Sequence, residues 1–549
     1  MNDTHHTLRT GLRLLLLLSM LLYGLSTLPG TALTFDEVAH LPAGWAQLAY
    51  PGLILNPEHP PLAKLMAALP LWLSFPSLDA LVPNVAAYDQ WRFGRTLLFE
   101  RGLEPHRVLW QGRLPMLLLL VGLLWTLWAF ARRIYDTGAA DAALFLGVTC
   151  PLLLAHGRLV TTDVPLATFA FLSCFLLWRY LETLQTRFAL LLGLSVGATL
   201  SVKFSGIVFV PALGLVALLS VVRCSALQQA LRAGGVRTFF QLGLSAAMAW
   251  SVLVLSYQRL DAVEMWWQGL QRVGFNHVRG YPFYLLGAYS ADGFLAYFPL
   301  ALLFKLSWPV LITLAYAGVR GLMRVMVRQS APAAELRPRL LPGLFWGLPA
   351  FLYAFFIVRE APQIGVRYLI PVLPFLYLGL APTLRLFVQR GGRQALLLLS
   401  VGATLTLWQS WPDPIASFNG LGGCGGVEAY RCLDDSNLDW GQNLGRIQAA
   451  LDALEPERGE LTTAPRLLYF GTAMPSAYLE RYALMRPEEL LHPLPAVYVV
   501  SSHRLTRLIE EVGRPLGVDW RQLYQPTGYV GNTYEIYDLR EVTAPSTAP

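Results

Sequence analysis

Residues 34–64 read TFDEVAHLPAGWAQLAYPGLILNPEHPPLAK, and the fold turns on where this stretch sits. It follows directly on an apolar run at about residues 12–28 that opens after Arg9 and Arg13. Asp36 and Glu37 therefore emerge at a membrane exit, where adjacent acids are costly unless they meet water, a cation or a substrate. His59, Pro60, Pro61 and Lys64 close the stretch. The segment reads as a functional loop, with much of the remaining chain holding it against a lipid-borne partner.

Outward from this loop the composition agrees. Of 549 residues, 55% are hydrophobic and only 14% charged, against roughly a quarter charged in soluble proteins. Several apolar runs approach the roughly 20 residues that cross a bilayer. The net charge of +7 does not point to nucleic acid. The basic residues cluster beside apolar runs, and basic stretches interleaved with aromatics are missing. The amino-terminal run resembles a signal peptide but lacks a small-residue cleavage site, so it reads as a retained first helix.

The expected architecture is a polytopic α-helical membrane domain over residues 1–411, with about eleven spans. They fall near 12–28, 116–130, 139–155, 166–180, 188–202, 207–222, 239–257, 294–319, 344–358, 368–387 and 395–411. Arginine and lysine alternate by loop as the positive-inside bias requires, placing the amino terminus in the cytoplasm. The first outer loop covers about residues 29–115 and holds apolar stretches that suit interfacial helices. From about residue 412 the chain turns polar, and its alternating helix and strand patterns read as a small extracytoplasmic α/β domain over 412–549. Cys424 and Cys432 lie close enough in sequence to pair there, whereas Cys150, Cys174 and Cys224 pack as small apolar residues.

Five constellations carry candidate chemistry. Asp36 and Glu37 do not share a helix face, so one is a candidate general base and the other a structural or cation-binding partner. A helix N-cap at Thr34 or Asp36 is the plainer alternative. HPPLAK has prolines that start a helix and aim Lys64 at the membrane surface, unless that lysine only snorkels. Arg158 and Asp163, beside His156, form a charged pair that is either functional or a structural ion pair. Lys203 in SVKFSG is a lone cation on the sparsely basic side, which fits phosphate binding or a misplaced span. His277, Arg279, Arg367 and Tyr368 add cations and an aromatic ring at outer membrane entries.

These motifs, in order, resemble bacterial members of the dolichyl-phosphate-mannose–protein mannosyltransferase family, glycosyltransferase family thirty-nine of the GT-C fold, which includes the lipid A aminoarabinose transferases. The resemblance rests on TFDE, HPPLAK, GRLVTTD, SVKFSG, YPFYLLG with YFPLALLFK, and GVRYLIPVLPF, and so covers the membrane part. DDSNLDWGQNL resembles a stretch recurrent in bacterial relatives.

The resemblance implies a polyprenyl-phosphate-linked sugar donor, an extracytoplasmic acceptor (protein, lipid or glycan) and a bacterial inner-membrane location. It implies Asp36 as base with Glu37 nearby, Arg158 and Asp163 in the second-loop motif, and Lys203 near the donor phosphate; Asp36, Glu37 and Asp163 are the expected catalytic residues. His59 and Lys64 fall near the donor. A divalent metal is an open expectation, with Glu37 and His277 as its candidate ligands. Ala63 stands where a glycine is common, and Glu58 where an aromatic residue often precedes the histidine.

On this reading Asp36 deprotonates an acceptor that attacks the anomeric carbon with inversion. Lys203, Lys64 and Arg367 are the cations available to the leaving phosphate. A transporter or flippase for polyprenyl-linked sugars is the alternative from another class. It would bring inverted repeats and broken helices at the midplane, and the sequence displays neither. A non-catalytic relative is a third reading, against which the intact acids Asp36, Glu37 and Asp163 count.

Overall fold

The structure is a computed structural model that describes residues 2–75, 89–101, 103–275, 281–326, 340–458 and 463–541. The first apolar run folds as one helix, α1 (Asn2–Ser26). After an extended link come the short helices of the first loop: α2 (Glu37–Ala49), α3 (Leu62–Ser74) and α4 (Gln90–Phe99). Asp89 starts α4 by accepting hydrogen bonds from the backbone N–H groups of Trp91 and Arg92, an N-cap. A Cβ on Gly94 would lie 1.9 Å from the Val38 carbonyl oxygen, so only glycine lets α4 press its backbone onto α2. That contact holds the start of α2, where both acids lie. The long helix α5 (Pro105–Ile134) opens on a proline at its first turn and ends with Arg132 and Arg133 in its last, matching the helix dipole at that end.

Helices occupy all eleven expected segments, yet among the described residues six helices are long and apolar enough to cross a bilayer by themselves, one of them covering the last two segments. The number is seven if Tyr297–Lys305 and Trp308–Met323, bent by 116°, form one span. The apolar helices Thr10–Ser26, Thr137–Val148 and Thr186–Val202 are shorter. The last two expected spans run on as Leu373–Ser410, broken only at Gly392 with φ 49° and ψ −129°. The link QRGGRQ carries charge but no proline, so helix resumes directly after a single left-handed glycine.

Helices Thr186–Val202 and Gly235–Tyr257 pack backbone to backbone. A Cβ on Gly193 would sit 2.2 Å from the Ser245 carbonyl oxygen, and Gly197 is in similar contact one turn on. This small-xxx-small approach is how helices associate without a hydrophobic driving force. Phe239, Phe240 and Leu255 point outward and are exposed, a surface that only lipid would cover at such density. The chain is a multi-pass membrane protein.

A hairpin, β1 (Phe283–Leu285) and β2 (Ala288–Ser290), precedes the bent helix pair. The expected α/β pattern of the C-terminal part appears as five strands: β3 (Arg466–Leu468), β4 (Ala483–Leu484), β5 (Val497–Ser501), β6 (Gly528–Val530) and β7 (Tyr534–Asp538). Their order is β4-β3-β5-β7-β6, with β3 parallel to β4 and β5, and β7 antiparallel to β5 and β6.

Alternation along β5 splits its side chains between two cores. Tyr498 and Val500 pack with Leu505, Trp520 and Tyr537. Val497 and Val499 join Leu33, Val38, Trp45 and Phe93 from the first loop. One face of the sheet therefore shares its core with α2 and α4, and the boundary expected near residue 412 does not separate two cores. Cys424 and Cys432 are bonded, with Cα atoms 5.8 Å apart. Cys150, Cys174 and Cys224 are buried and take no part in a disulfide.

Candidate active site

Four side chains from distant parts of the chain make an alternating ion chain. Arg367 Nη1 lies 2.8 Å from Asp36 Oδ2 and 3.6 Å from Asp163 Oδ2. Lys203 Nζ lies 2.5 Å from Asp163 Oδ1. Two acids face two bases, so the cluster is balanced. Asp36 keeps 18% of its side chain exposed, against 1% for Asp163, which makes it the acid open to a reactant. Tyr368 lies under both cations, 4.8 Å from Lys203 Nζ and 5.2 Å from the Arg367 guanidinium. The Arg367 guanidinium also covers the Trp440 ring at 4.2 Å.

Each position follows from local structure. Asp163 is the first residue of helix Asp163–Thr183, where a carboxylate meets the positive end of the helix dipole. Lys203 is extended between Thr186–Val202 and the short 3₁₀ turn Phe204–Val208. Arg367 is carried by the 3₁₀ segment Val366–Val372. That segment is held from outside: the Val366 N–H donates to Asn437 Oδ1 at 2.9 Å, and Ser436 Oγ donates to the Ile364 carbonyl at 2.7 Å. Asp36 is held similarly, because the Ala32 and Phe35 N–H groups donate to the Gln442 and Trp440 carbonyls. The buried stretch DDSNLDWGQNL thus clamps both Asp36 and Arg367.

Glu37 has a different position and a different role. It is fully buried and receives Arg113 Nε at 2.8 Å, Arg113 Nη2 at 2.5 Å, the Thr34 N–H and hydroxyl, and the Val160 N–H. Burial opposes its charge, but the guanidinium and the backbone donors outweigh it and hold the carboxyl below its ordinary value. The catalytic expectation for Glu37 is corrected accordingly: its oxygens are already occupied, and it anchors α2 to α5 and to the second loop. The same occupancy argues against Glu37 as a metal ligand. His277 and Arg279 lie outside the described residues, and among those described no group of three His, Cys, Asp or Glu side chains is arranged to hold a metal.

Two further expectations change. Lys64 does not reach for the membrane surface. Its buried ammonium donates to the Asn56 carbonyl at 2.6 Å, Asn56 Oδ1 at 3.0 Å and the His59 carbonyl at 2.7 Å, closing the loop on itself. Arg158 does not pair with Asp163. Its Nη1 donates to the Thr27 carbonyl and hydroxyl, each at 2.6 Å, because the turn after His156 aims the two side chains apart.

His59 does stand near the cluster. Its ring is 5.2 Å from that of His40, and burial, followed by His40 and the Lys203, Lys64 and Arg367 cations, keeps it well below the ordinary value. Sequence reasoning missed Arg113 and His40 altogether. Only the DWGQNL motif pointed toward Trp440.

Asp439 in that clamp offers a pH test. Its Oδ2 accepts from Ser501 Oγ at 2.5 Å and its Oδ1 from the Gly441 N–H at 2.9 Å. Burial pushes its carboxyl up from 3.8 to about 7, with Asp413 adding to the rise and Ser501, Gly441 and His503 opposing it. The folded state thus holds this proton to higher pH than the unfolded chain. The contribution is most favourable below the unfolded value and is lost progressively up to about pH 7. Asp439→Asn is expected to gain stability relative to wild type as pH rises across that window, read as the difference between their thermal unfolding midpoints at each pH.

Residues 105–250 match the family model described as dolichyl-phosphate-mannose-protein mannosyltransferase. Among solved structures, ArnT from Cupriavidus metallidurans in the apo state is similar over 98% of this chain and 99% of its own, with 13% identity and a TM-score of 0.50. The fold is that of ArnT. A second ArnT structure, bound to undecaprenyl phosphate, matches over 98% and 100% of the two chains at 14% identity and a TM-score of 0.46. The Archaeoglobus fulgidus oligosaccharyltransferase AglB, in complex with an inhibitory peptide and a dolichol-phosphate, matches over 97% and 75% at 12% identity and a TM-score of 0.41. No curated protein is significantly similar to the chain. The ArnT likeness agrees with the GT-C architecture expected from the motifs, and the family model falls on α5 to Gly235–Tyr257, which carry Asp163 and Lys203.

Proposed function

We propose that this chain is an inverting glycosyltransferase of the inner membrane. It moves a sugar from a polyprenyl-phosphate-linked donor to an acceptor at the extracytoplasmic face, with the amino terminus in the cytoplasm. The observation that carries the reading is the half-open Asp36 carboxylate beside Arg367 in an otherwise buried, charge-balanced cluster. The family-model match over residues 105–250 and the ordered motifs supply the donor class.

An acceptor hydroxyl or amine gives its proton to Asp36 as its oxygen or nitrogen bonds to the anomeric carbon. The bond from that carbon to the phosphate oxygen breaks, and the electron pair leaves with the polyprenyl phosphate. That leaving group is an anion of low basicity and needs no proton. Positive charge is what it requires, and Arg367 and Lys203 supply it where water is largely excluded. Asp163 positions both cations and holds their charge while the donor is absent. Tyr368 lines them from below.

The test incubates the purified full chain in lipid nanodiscs with a panel of polyprenyl-phosphate sugars, each with a candidate acceptor. Release of free polyprenyl phosphate from at least one donor is expected. Movement of intact donor across the bilayer, with no cleavage of any member of the panel, would replace this reading with the flippase.

A further inference from the structure

We infer that a cleft away from Asp36 and Arg367, on the C-terminal side of the molecule, is a binding site for an uncharged pyranose ring of a glycan. It lies where the β1–β2 hairpin meets the disulfide-closed segment, helix Ser502–Leu508 and helix Trp520–Leu523. Its volume is about 330 Å³, at the small end of ligand pockets. That leaves room for one or two sugar rings and not for a lipid chain.

The wall presents aromatic faces in fixed orientations. Tyr284 Oη donates to the Tyr430 carbonyl at 2.8 Å, and Tyr289 Oη donates to the Thr506 carbonyl at 3.3 Å. The two rings stand 5.0 Å apart, and the Arg521 guanidinium lies 3.6 Å over the ring of Tyr430. With those two hydroxyls committed to backbone, what the partly exposed Tyr289 offers a ligand is ring surface, backed by the buried ring of Tyr284. A pyranose carries an apolar C–H face and a rim of hydroxyls. The face suits the electron-rich side of a tyrosine ring, and the rim suits carboxylate, amide and guanidinium groups. Glu510, Gln522 and Arg431 provide these around the same opening.

The charges argue for a neutral ligand. Arg431 pairs with Glu428 at 2.5 Å, Arg521 with Glu535 at 2.6 Å, and Glu510 with Arg514 at 2.8 Å. The Asp519 carboxylate accepts from the Arg521 N–H and from Gln522 Nε2. Arg431 and Arg521, the cations of the wall, already have carboxylate partners, so an anion gains no unpaired cation here. The carboxylates retain acceptor sites for hydroxyls, since each offers about four.

The cleft is also pre-organised, which lowers the entropy cost of binding. The Leu286 N–H at the hairpin tip donates to the Cys432 carbonyl at 2.9 Å, tying one wall to the disulfide. Behind Tyr289 the Arg507 guanidinium bonds Asp434 at 2.6 Å. Asp434 opens the same clamp whose Ser436 and Asn437 hold the Arg367 segment. A glycan seated here would therefore rest on the element that also positions the ion chain. This binding requires no donor and stands apart from the transferase reading.

Saturation-transfer NMR on the full chain in nanodiscs, without any donor, tests it. The neutral probes are methyl α-mannopyranoside and methyl α-glucopyranoside, and glucose 1-phosphate is the anionic one. Transfer to the ring protons of a neutral probe is expected and should persist in Asp36→Asn. It should weaken by about tenfold in Tyr289→Leu, which removes a ring face. Gln522→Trp, at an exposed position, should block the opening without disturbing the fold, checked by an unchanged melting midpoint. No transfer to either neutral probe, preference for glucose 1-phosphate, or an undiminished signal in folded Gln522→Trp would each overturn the proposal. Failure of the donor-cleavage assay leaves this measurement unaffected, and the converse holds.

Discussion

Asp36→Asn is expected to lower sugar transfer by about 10²–10⁴-fold, the range for loss of a general base, while the protein inserts, folds and melts as wild type does. The amide keeps the shape of the carboxylate and can still touch Arg367, but it cannot take a proton. Arg367 retains Asp163 as a partner at 3.6 Å, and the opening that leaves 18% of the Asp36 side chain exposed lets water screen the positive charge left over. The check is release of polyprenyl phosphate by purified wild type and variant, paired with their thermal unfolding curves. Turnover near wild type in the variant would remove Asp36 from the chemistry.

The neighbouring acid should behave in the opposite way. Glu37→Gln or Arg113→Met alone leaves one member of a buried pair uncompensated, which typically costs about 3–5 kcal/mol. Arg113 and Glu37 are both fully buried, and they join α2 to α5 and, through the Val160 N–H, to the second loop. Each single substitution is expected to lower the melting midpoint sharply and to reduce the yield of folded protein. The double change Glu37→Met with Arg113→Met should recover much of the loss, since well-packed apolar residues can replace a buried ion pair. Activity lost with an unchanged melting curve in Glu37→Gln would instead return Glu37 to the catalytic machinery. Two adjacent acids would then be told apart by two readouts.

Some assignments were legible in the chain and others were not, for identifiable reasons. The apolar runs marked the helical segments of the expected spans, because hydropathy over many residues is a local sum that packing does not alter. They did not mark the more polar helices Gln90–Phe99, Ser225–Ala233 and Ala262–Phe275. The strand-like runs AVYVVSS and YEIYDL, rich in β-branched and aromatic residues, marked β5 and β7. The short strands β4 and β6 carry too few residues for a period to show, and they form only because neighbours supply their hydrogen bonds.

Lys203 was legible as a cation out of keeping with its surroundings, and it does meet a charged partner. Arg158 and Asp163 were paired because five residues separate them, whereas the turn between them sends one guanidinium to Thr27 and one carboxylate to Lys203. Lys64 was read from its place at a helix start, but nothing local indicated that its own loop would fold back and supply three acceptors.

The stretch at residues 34–64 shows the division most clearly. Its sequence alone determines that two acids leave an apolar helix together, and that prolines and a lysine follow, because those are facts of order and polarity. Which acid faces a reactant is not written there. Side chains at successive helical positions point about 100° apart, so Asp36 and Glu37 are committed to different neighbours. Those neighbours arrive from elsewhere: Arg367, 331 residues away, and Arg113, 76 residues away. Only the tertiary structure brings one guanidinium to a half-open carboxylate and seals the other around a buried one, since burial and partnership are properties of packing and not of order along the chain.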